Sequence, residues 1–168
     1  LMDCIDEYDV LIVRLGFQID HDIIRRARKL KTIVSATTGV DHIDIEMATL
    51  SGIEVLCLRG EVAFLRSIPA TAELTWGLII GLVRNMHSAS WSVLHAAWDR
   101  ESFRGNDLSG KTLGILGLGR IGEKVAGYGL AFGMRVVAYD NDPNKKMNGV
   151  TMAQDMQGLL SESQILSI

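Results

Sequence analysis

The sequence predicts an α/β protein built on parallel sheets. Two observations carry this. In the first third of the chain, short runs rich in β-branched residues alternate with amphipathic helical stretches. Such alternation calls for right-handed crossovers and parallel pairing. Further along, three glycines spaced G-x-G-x-x-G stand between two more apolar runs, in "TLGILGLGRIGEKVAGYGLAFGMRVVAYD".

The elements follow in order. "DVLIVRL", residues 9–15, is a short apolar run and reads as a strand buried on both faces. "DHDIIRRARKL" reads as a helix capped by Asp20, with Ile23, Ile24, Ala27 and Leu30 on one face. "TIVSA", 32–36, is a second strand. Asp44 caps a short helix over 45–50, and Gly52 suits its C-terminal turn. "IEVLCL", 53–58, is a third strand. Residues 59–72 carry Gly, Ser, Pro and charge and read as a loop. "AELTWGLIIGLVRNM" is a helix apolar nearly all round, the mark of a helix buried between layers, domains or subunits. A second helix is expected over 87–97, then a polar linker, "WDRESFRGNDLSGK".

Composition narrows the functional classes. The chain has 168 residues and a net charge of −3, which favours neither nucleic acid nor an anionic membrane as partner. Its longest apolar run, around Leu74 to Val83, is half the roughly 20 residues a bilayer demands. No signal peptide is visible. Cys4 and Cys57 sit beside apolar residues, which implies reduced, buried thiols and a cytoplasmic protein.

The glycine motif has the context that makes it informative. The strand "TLGIL" precedes Gly117, a helix with Ile121, Val125, Tyr128 and Phe132 on one stripe follows, and the strand "RVVAY" ends at Asp140. This is the order of the N-terminal half of a Rossmann dinucleotide-binding domain, with an acid about 20 residues after the first glycine. Gly117 permits the tight turn, Gly119 lets a pyrophosphate approach the backbone, and Gly122 lets helix and strand pack closely. The helix N-terminus offers N–H groups to phosphate, and Asp140 accepts from the adenosine ribose. A carboxylate there repels a 2′-phosphate, so NAD is expected over NADP. A glycine-rich turn of an unrelated α/β domain and a methyltransferase loop are rival readings of the same residues. Gly127 and Gly129 inside the helix each cost about 1 kcal/mol against Ala, and close helix–sheet packing is the expected reason.

Four segments, in order, resemble the D-isomer-specific 2-hydroxyacid dehydrogenases, on their phosphoglycerate dehydrogenase-like side. They are "TTGVDHIDIEMAT", "ATAELTWGLIIGLVRN", "WDRESFRGNDLSGKTLGILGLGRIGEKVA" and "GLLSESQILSI". The resemblance implies a flavodoxin-like parallel-sheet substrate-domain portion plus the N-terminal half of the Rossmann domain. The implied division is a partial substrate domain at 1–72, interdomain and dimerisation helices with a linker at 73–108, and a partial NAD-binding domain at 109–168. It implies NAD as cofactor, a small 2-hydroxy or 2-oxo acid as substrate, and a homodimer. The residues matching cofactor positions are Thr38, Gly117, Gly119, Arg120, Ile121, Gly122 and Asp140. Gly39 and Val40 match positions whose N–H groups take the substrate carboxylate. Arg14 matches an anion-contacting residue, with a solvated strand-end charge as the competing reading.

In the family, a His supported by a Glu moves the hydroxyl proton, and an Arg holds the substrate. By the comparison these three lie beyond residue 168. The chain also enters after the family's first strand and stops about half-way through the nucleotide domain. His21, His42, His87 and His95 match no catalytic position, and surface or helix-packing roles are expected for all four. No Ser/His/Asp trio or metal-ligand cluster is visible, so no catalytic residue and no metal is assigned. Gln164 stands where an Asp is usual, and "RGEVAFLRSIPATAE" replaces the commoner loop that bears on substrate choice. Two readings stay open: a 2-hydroxyacid dehydrogenase seen as a partial chain, and a non-catalytic NAD-binding sensor or assembly module.

Overall fold

The computed structural model describes all of residues 1–168, which divide into two compact units, Leu1–Leu65 and Arg66–Ile168. The first unit holds a parallel sheet of β1 (Val10–Val13), β2 (Thr32–Ser35) and β3 (Glu54–Cys57), in that spatial order. The register sets Val13, Ser35 and Cys57 side by side, so the three strands end at one edge. A 3-10 turn at Ile5–Glu7 precedes β1, and α1 (His21–Arg26) and α2 (Ile45–Leu50) supply the crossovers. Both helices start as expected. The Ile23 N–H donates to Asp20 Oδ1 at 3.0 Å, and the Met47 N–H to Asp44 Oδ1 at 2.9 Å. Each cap satisfies an N–H that the first helical turn leaves unpaired.

Three expectations for this unit need correction. β1 is not buried on both faces: Leu11 and Val13 pack into the core, while Ile12 is 75% exposed and Val10 is exposed. β1 lies at the sheet edge, and the period of two sends its alternate side chains to an uncovered face. The helix α1 stops at Arg26, because Ala27 leaves helical backbone at ψ 61°. Ala27 and Leu30 still enter the core with Ile23, Ile24, Ile33, Ile43 and Ile53. Cys4 and Cys57 are free but only half-buried.

The second unit carries the other sheet. Its strands β4 (Thr112–Leu116), β5 (Arg135–Tyr139), β6 (Val150–Met152) and β7 (Ile165–Ser167) run parallel in the order β6-β5-β4-β7. The chain winds outward from β4 through β5 to β6, then returns to place β7 on the other side of β4. That reversal opens a crevice beyond the carboxyl ends of β4 and β7. The helix α3 (Val62–Arg66) runs across the boundary between the units, so the stretch 59–72 is not all loop. It is followed by α4 (Ala70–Val83) and α5 (Met86–Leu94). The expected continuous helix through Met86 instead breaks at Asn85, whose φ of 51° is left-handed, and α5 begins one residue later. The helices α6 (Arg120–Ala131) and α7 (Met156–Glu162) complete the unit. Asp155 caps α7 by accepting from the Gly158 N–H at 2.7 Å.

One face of α4 packs on α6 through Ala72 and Trp76. The Trp76 indole N–H donates to the Val125 carbonyl at 3.1 Å, and its ring stacks on Phe132 at 4.7 Å. Gly129 lets α6 lie close on the sheet, since a Cβ there would stand 2.8 Å from Leu113 Cδ2. Gly127 has only Met147 Cε, at 3.8 Å, so close packing does not explain it. The opposite face of α4 is bare. Leu74, Leu78 and Leu82, spaced by four, are 64%, 66% and 80% exposed. No helix of the protein is long and apolar enough to cross a membrane.

Candidate functional site

The glycine loop lies at the crevice made by the strand order. Gly117 takes φ +92°, a left-handed backbone that suits glycine, and its N–H donates to the Tyr139 carbonyl at 2.8 Å. Gly119 is extended and begins α6 with no side-chain cap. A Cβ on Gly119 would meet nothing within 4 Å, whereas one on Gly122 would stand 2.1 Å from the Gly117 carbonyl oxygen. So Gly119 leaves open space above the backbone, and Gly122 lets the turn close on itself. Between them, Leu118 is fully buried and anchors the loop in the core.

Asp140 does more than end β5. Its Oδ2 accepts the Leu118 N–H at 2.7 Å, and its Oδ1 accepts the Asp142 N–H at 2.9 Å. The Asp142 N–H chiefly, with the Leu118 N–H and the nearby Lys145 charge, holds this carboxyl below its ordinary value against partial desolvation. The result is a carboxylate that pins the glycine loop and still has lone pairs for a ligand. Sequence spacing leads to Asp140 as an expected ribose acceptor and does not register the tie to Leu118.

A cleft of about 520 Å³ gathers Gly117, Gly119, Arg120, Ile121, Gly122 and Asp140, with Thr71, Thr75 and Ser167 on its walls. These residues fit a dinucleotide. Open space over Gly119 could admit a pyrophosphate, the α6 N-terminus would offer it positive dipole, and Asp140 could accept from ribose hydroxyls. Thr38, the remaining predicted cofactor residue, belongs to the first unit and is exposed.

In that unit the predicted anion-contacting residues share the carboxyl edge of the sheet. Arg14 directly follows β1 and is exposed. Thr38, Gly39 and Val40 follow β2, and their backbone N–H groups find no acceptor within the chain. The segment is held by other groups. The Leu58 N–H donates to the Thr37 carbonyl at 2.9 Å, and the Ile43 N–H to the Val40 carbonyl at 2.9 Å. Arg59, exposed just beyond β3, stands at the same edge, and sequence reasoning did not single it out. The parallel register was the signal that reveals it.

His42 departs from expectation. It lies neither at the surface nor in a helix: it is 5% exposed in the turn before α2, with Nε2 3.2 Å from Ser35 Oγ. His21, His87 and His95 are exposed, as surface roles require.

Comparison with known proteins sets these features in a family. Residues 76–168 match the family model described as D-isomer specific 2-hydroxyacid dehydrogenase, NAD binding domain. The D-3-phosphoglycerate dehydrogenase of Methanocaldococcus jannaschii is 40% identical over 171 residues, covering 100% of this chain and 32% of that protein. The hydroxypyruvate reductase of Thermotoga maritima is 38% identical, covering 100% of this chain and 53% of that protein. Among solved structures, a Thermus thermophilus protein superposes with a TM-score of 0.86 at 34% identity, over 98% of this chain and 51% of its own. D-lactate dehydrogenase from Aquifex aeolicus, complexed with NAD and lactic acid, gives 0.81 at 27% identity, over 99% of this chain and 49% of its own. The chain thus spans about half, or less, of the length of these proteins. With its glycine loop, its crevice and this match in hand, the chain belongs to the D-isomer specific 2-hydroxyacid dehydrogenases, and its cofactor is NAD.

Proposed function

We propose that this chain is the cofactor-holding and carboxylate-holding portion of an NAD-dependent 2-hydroxyacid dehydrogenase. The observation that carries the reading is the cleft at the β4–β7 reversal, where an uncapped helix N-terminus, a bare Gly119 and the Asp140 carboxylate converge. When bound, NAD would supply the hydride acceptor for a 2-hydroxy acid and, in reduced form, the hydride donor for a 2-oxo acid. Gly117 to Gly122 hold the pyrophosphate, Asp140 takes the adenosine ribose, and Thr38 matches a cofactor position of the family. The N–H groups of Gly39 and Val40, with Arg14, hold the substrate carboxylate. In this reading residues 1–168 bind and orient, and no histidine among them carries the hydroxyl proton. His42 has Nε2 engaged with Ser35, and the other three are exposed on the surface. The domain division proposed is substrate-binding at 1–72, linking and dimerising at 73–108, and NAD-binding at 109–168.

Calorimetric titration of the chain with NAD and with NADP tests the cofactor half. NAD is expected to bind more tightly, and equal affinities would defeat the role given to Asp140. In a coupled assay, NADH oxidation with glyoxylate or hydroxypyruvate is expected to stay at background. A robust rate that falls on mutating a histidine would place the proton carrier within this chain. Such a rate would also remove the non-catalytic sensor reading, which NAD binding without turnover leaves standing.

The same reading includes a homodimer. Leu74, Leu78 and Leu82 are exposed, and so are Met86, Trp91, Leu94 and Trp98 after the break at Asn85, apolar side chains of the kind that a partner covers. Light scattering is expected to give twice the monomer mass, reverting to monomer in Leu78→Asp. A monomer at tens of micromolar would sink the dimer. A cytoplasmic setting is the remaining part of the proposal, supported by the two free thiols.

A further inference from the structure

We propose that His42 is a positioning residue for the substrate-carboxylate loop, acting through a one-way hydrogen-bond chain that ends on the Gly39 carbonyl. The role rests on the reading of Gly39 and Val40 as the carboxylate subsite.

The direction of the chain follows from counting hydrogens. A carbonyl oxygen only accepts, so the 2.6 Å bond between Thr37 Oγ1 and the Gly39 oxygen uses the single hydroxyl hydrogen of Thr37. Thr37 Oγ1 must therefore accept in its 2.8 Å contact with Ser35 Oγ. That uses the hydrogen of Ser35, which must then accept from His42 Nε2 at 3.2 Å. The histidine is thus protonated at Nε2, and Nδ1 is the nitrogen with no partner in the chain. Hydrogens run one way: His42 Nε2–H to Ser35, Ser35 to Thr37, Thr37 to Gly39.

The chain is built into the core. Ser35 is 1% exposed and His42 5%. The His42 backbone is itself anchored, its carbonyl accepting the Ile19 N–H at 2.7 Å. Successive hydrogen bonds polarise one another, and low local dielectric strengthens each. The end product is chemical. In the run Thr38–Val40 the Gly39 carbonyl dipole, negative at oxygen, lies beside N–H groups with no acceptor. Donation from Thr37 draws off part of that negative potential and fixes the peptide plane between Gly39 and Val40. The Val40 N–H belongs to that plane, so its direction is fixed with it. Were the imidazole the other tautomer, Ser35 would donate to Nε2 and Thr37 would face Ser35 with two demands on one hydrogen. The Gly39 plane would then be released.

Nitrogen-15 spectra of the full 168-residue chain test this. The histidine tautomer is read from the ring nitrogens, and the Gly39 and Val40 amides are followed during titration with oxamate under saturating NADH. His42 is expected to carry its proton on Nε2, and both amides are expected to shift. Ser35→Ala, which deletes the middle oxygen, is expected to weaken oxamate roughly three- to ten-fold, the scale of one net hydrogen bond. NADH binding should stay unchanged in that variant. His42→Leu should match it, and His42→Gln, whose amide N–H reaches toward the Nε2 position, should recover most of the loss. A proton on Nδ1 in the parent overturns the chain whatever the variants do. Amides that answer oxamate equally in parent and Ser35→Ala overturn the positioning role alone. Amides silent toward oxamate in the parent overturn the carboxylate subsite, and with it this role, even where the tautomer is right.

Discussion

The loop after β2 and the loop after β4 occupy the same place in two parallel sheets, yet they are held from opposite chemical sides. In the glycine loop an N–H is tied down: Leu118 gives its hydrogen to the Asp140 carboxylate, 22 residues away in sequence. In the loop at 37–40 a carbonyl is tied down: Gly39 takes its hydrogen from Thr37, at the end of a chain of hydroxyls. The first arrangement brings a negative charge to the site, as the proposed contact with neutral ribose hydroxyls requires. The second tie uses only hydroxyls and leaves unpaired donors, with the Asp41 carboxylate the one negative group beside Gly39. The ligands proposed for the two loops thus follow from which backbone group the fold consumes as well as from the exposed groups.

The sharpest way to break this contrast is to prise open the glycine loop alone. Gly122→Ala places a methyl group 2.1 Å from the Gly117 carbonyl, a backbone atom that cannot step aside. It is expected to cost about 3 kcal/mol in urea unfolding of the second unit, the upper end for overpacking, and to abolish NAD binding. Oxamate-free amide spectra of residues 37–42 should be unaffected.

Asp140→Ala ranks next. It removes both the tie to Leu118 and the proposed ribose acceptor, so NAD affinity by calorimetry should fall roughly a hundred-fold, the scale of charged hydrogen bonds. The loss should exceed the loss of discrimination against NADP. If the variant kept NAD affinity and lost only discrimination, the loop would not need its tether.

On the other loop, Thr37→Val keeps the shape and deletes the hydroxyl. It leaves Ser35 without an acceptor and Gly39 without a donor, so the first unit should lose about 1–2 kcal/mol in urea unfolding. No change would show that water replaces the hydroxyl at no cost.

Acid gives the smallest and most selective effect. The Asp140 carboxyl is lowered from 3.8 in the folded chain, chiefly by the Asp142 N–H. Its stabilising contribution is therefore complete above the unfolded value and is lost as pH falls through the folded one. NAD affinity should be flat from neutrality to about pH 5 as far as this group is concerned, and should decline only below 3.8. The Thr37–Gly39 bond has no carboxylate to protonate. A decline centred well above 3.8 would mean that another group holds the glycine loop.

What could be read from the sequence was local. Asp20 and Asp44 cap the helices they precede because capping is settled within three residues. The strands around the glycine motif and the acid at its end follow from short-range pattern in the same way. What escaped needs partners distant in the chain or in space. The exposure of Ile12 depends on what covers a sheet face, and the Asp140–Leu118 bond on how β5 lies beside β4. The kink at Asn85 is a left-handed residue inside an unbroken apolar pattern, which periodicity does not register. His42 was within reach of a closer reading. Ile33 and Ser35 share one face of β2 by the period of two, so a buried serine was implied, and a buried serine demands a partner nearby.

The three tryptophans give the molecule an optical vernier. Trp76 is 4% exposed, stacked and hydrogen-bonded, so its emission belongs at the blue end and its indole should resist collisional quenching by acrylamide. Trp91 and Trp98, at 61% and 88% exposure, belong at the red end and should quench freely in an isolated chain. A concentration series therefore separates two events in one cuvette. Association through the bare face shields the red component and leaves the blue one alone, whereas loosening of α4 from α6 unmasks the blue component at any concentration.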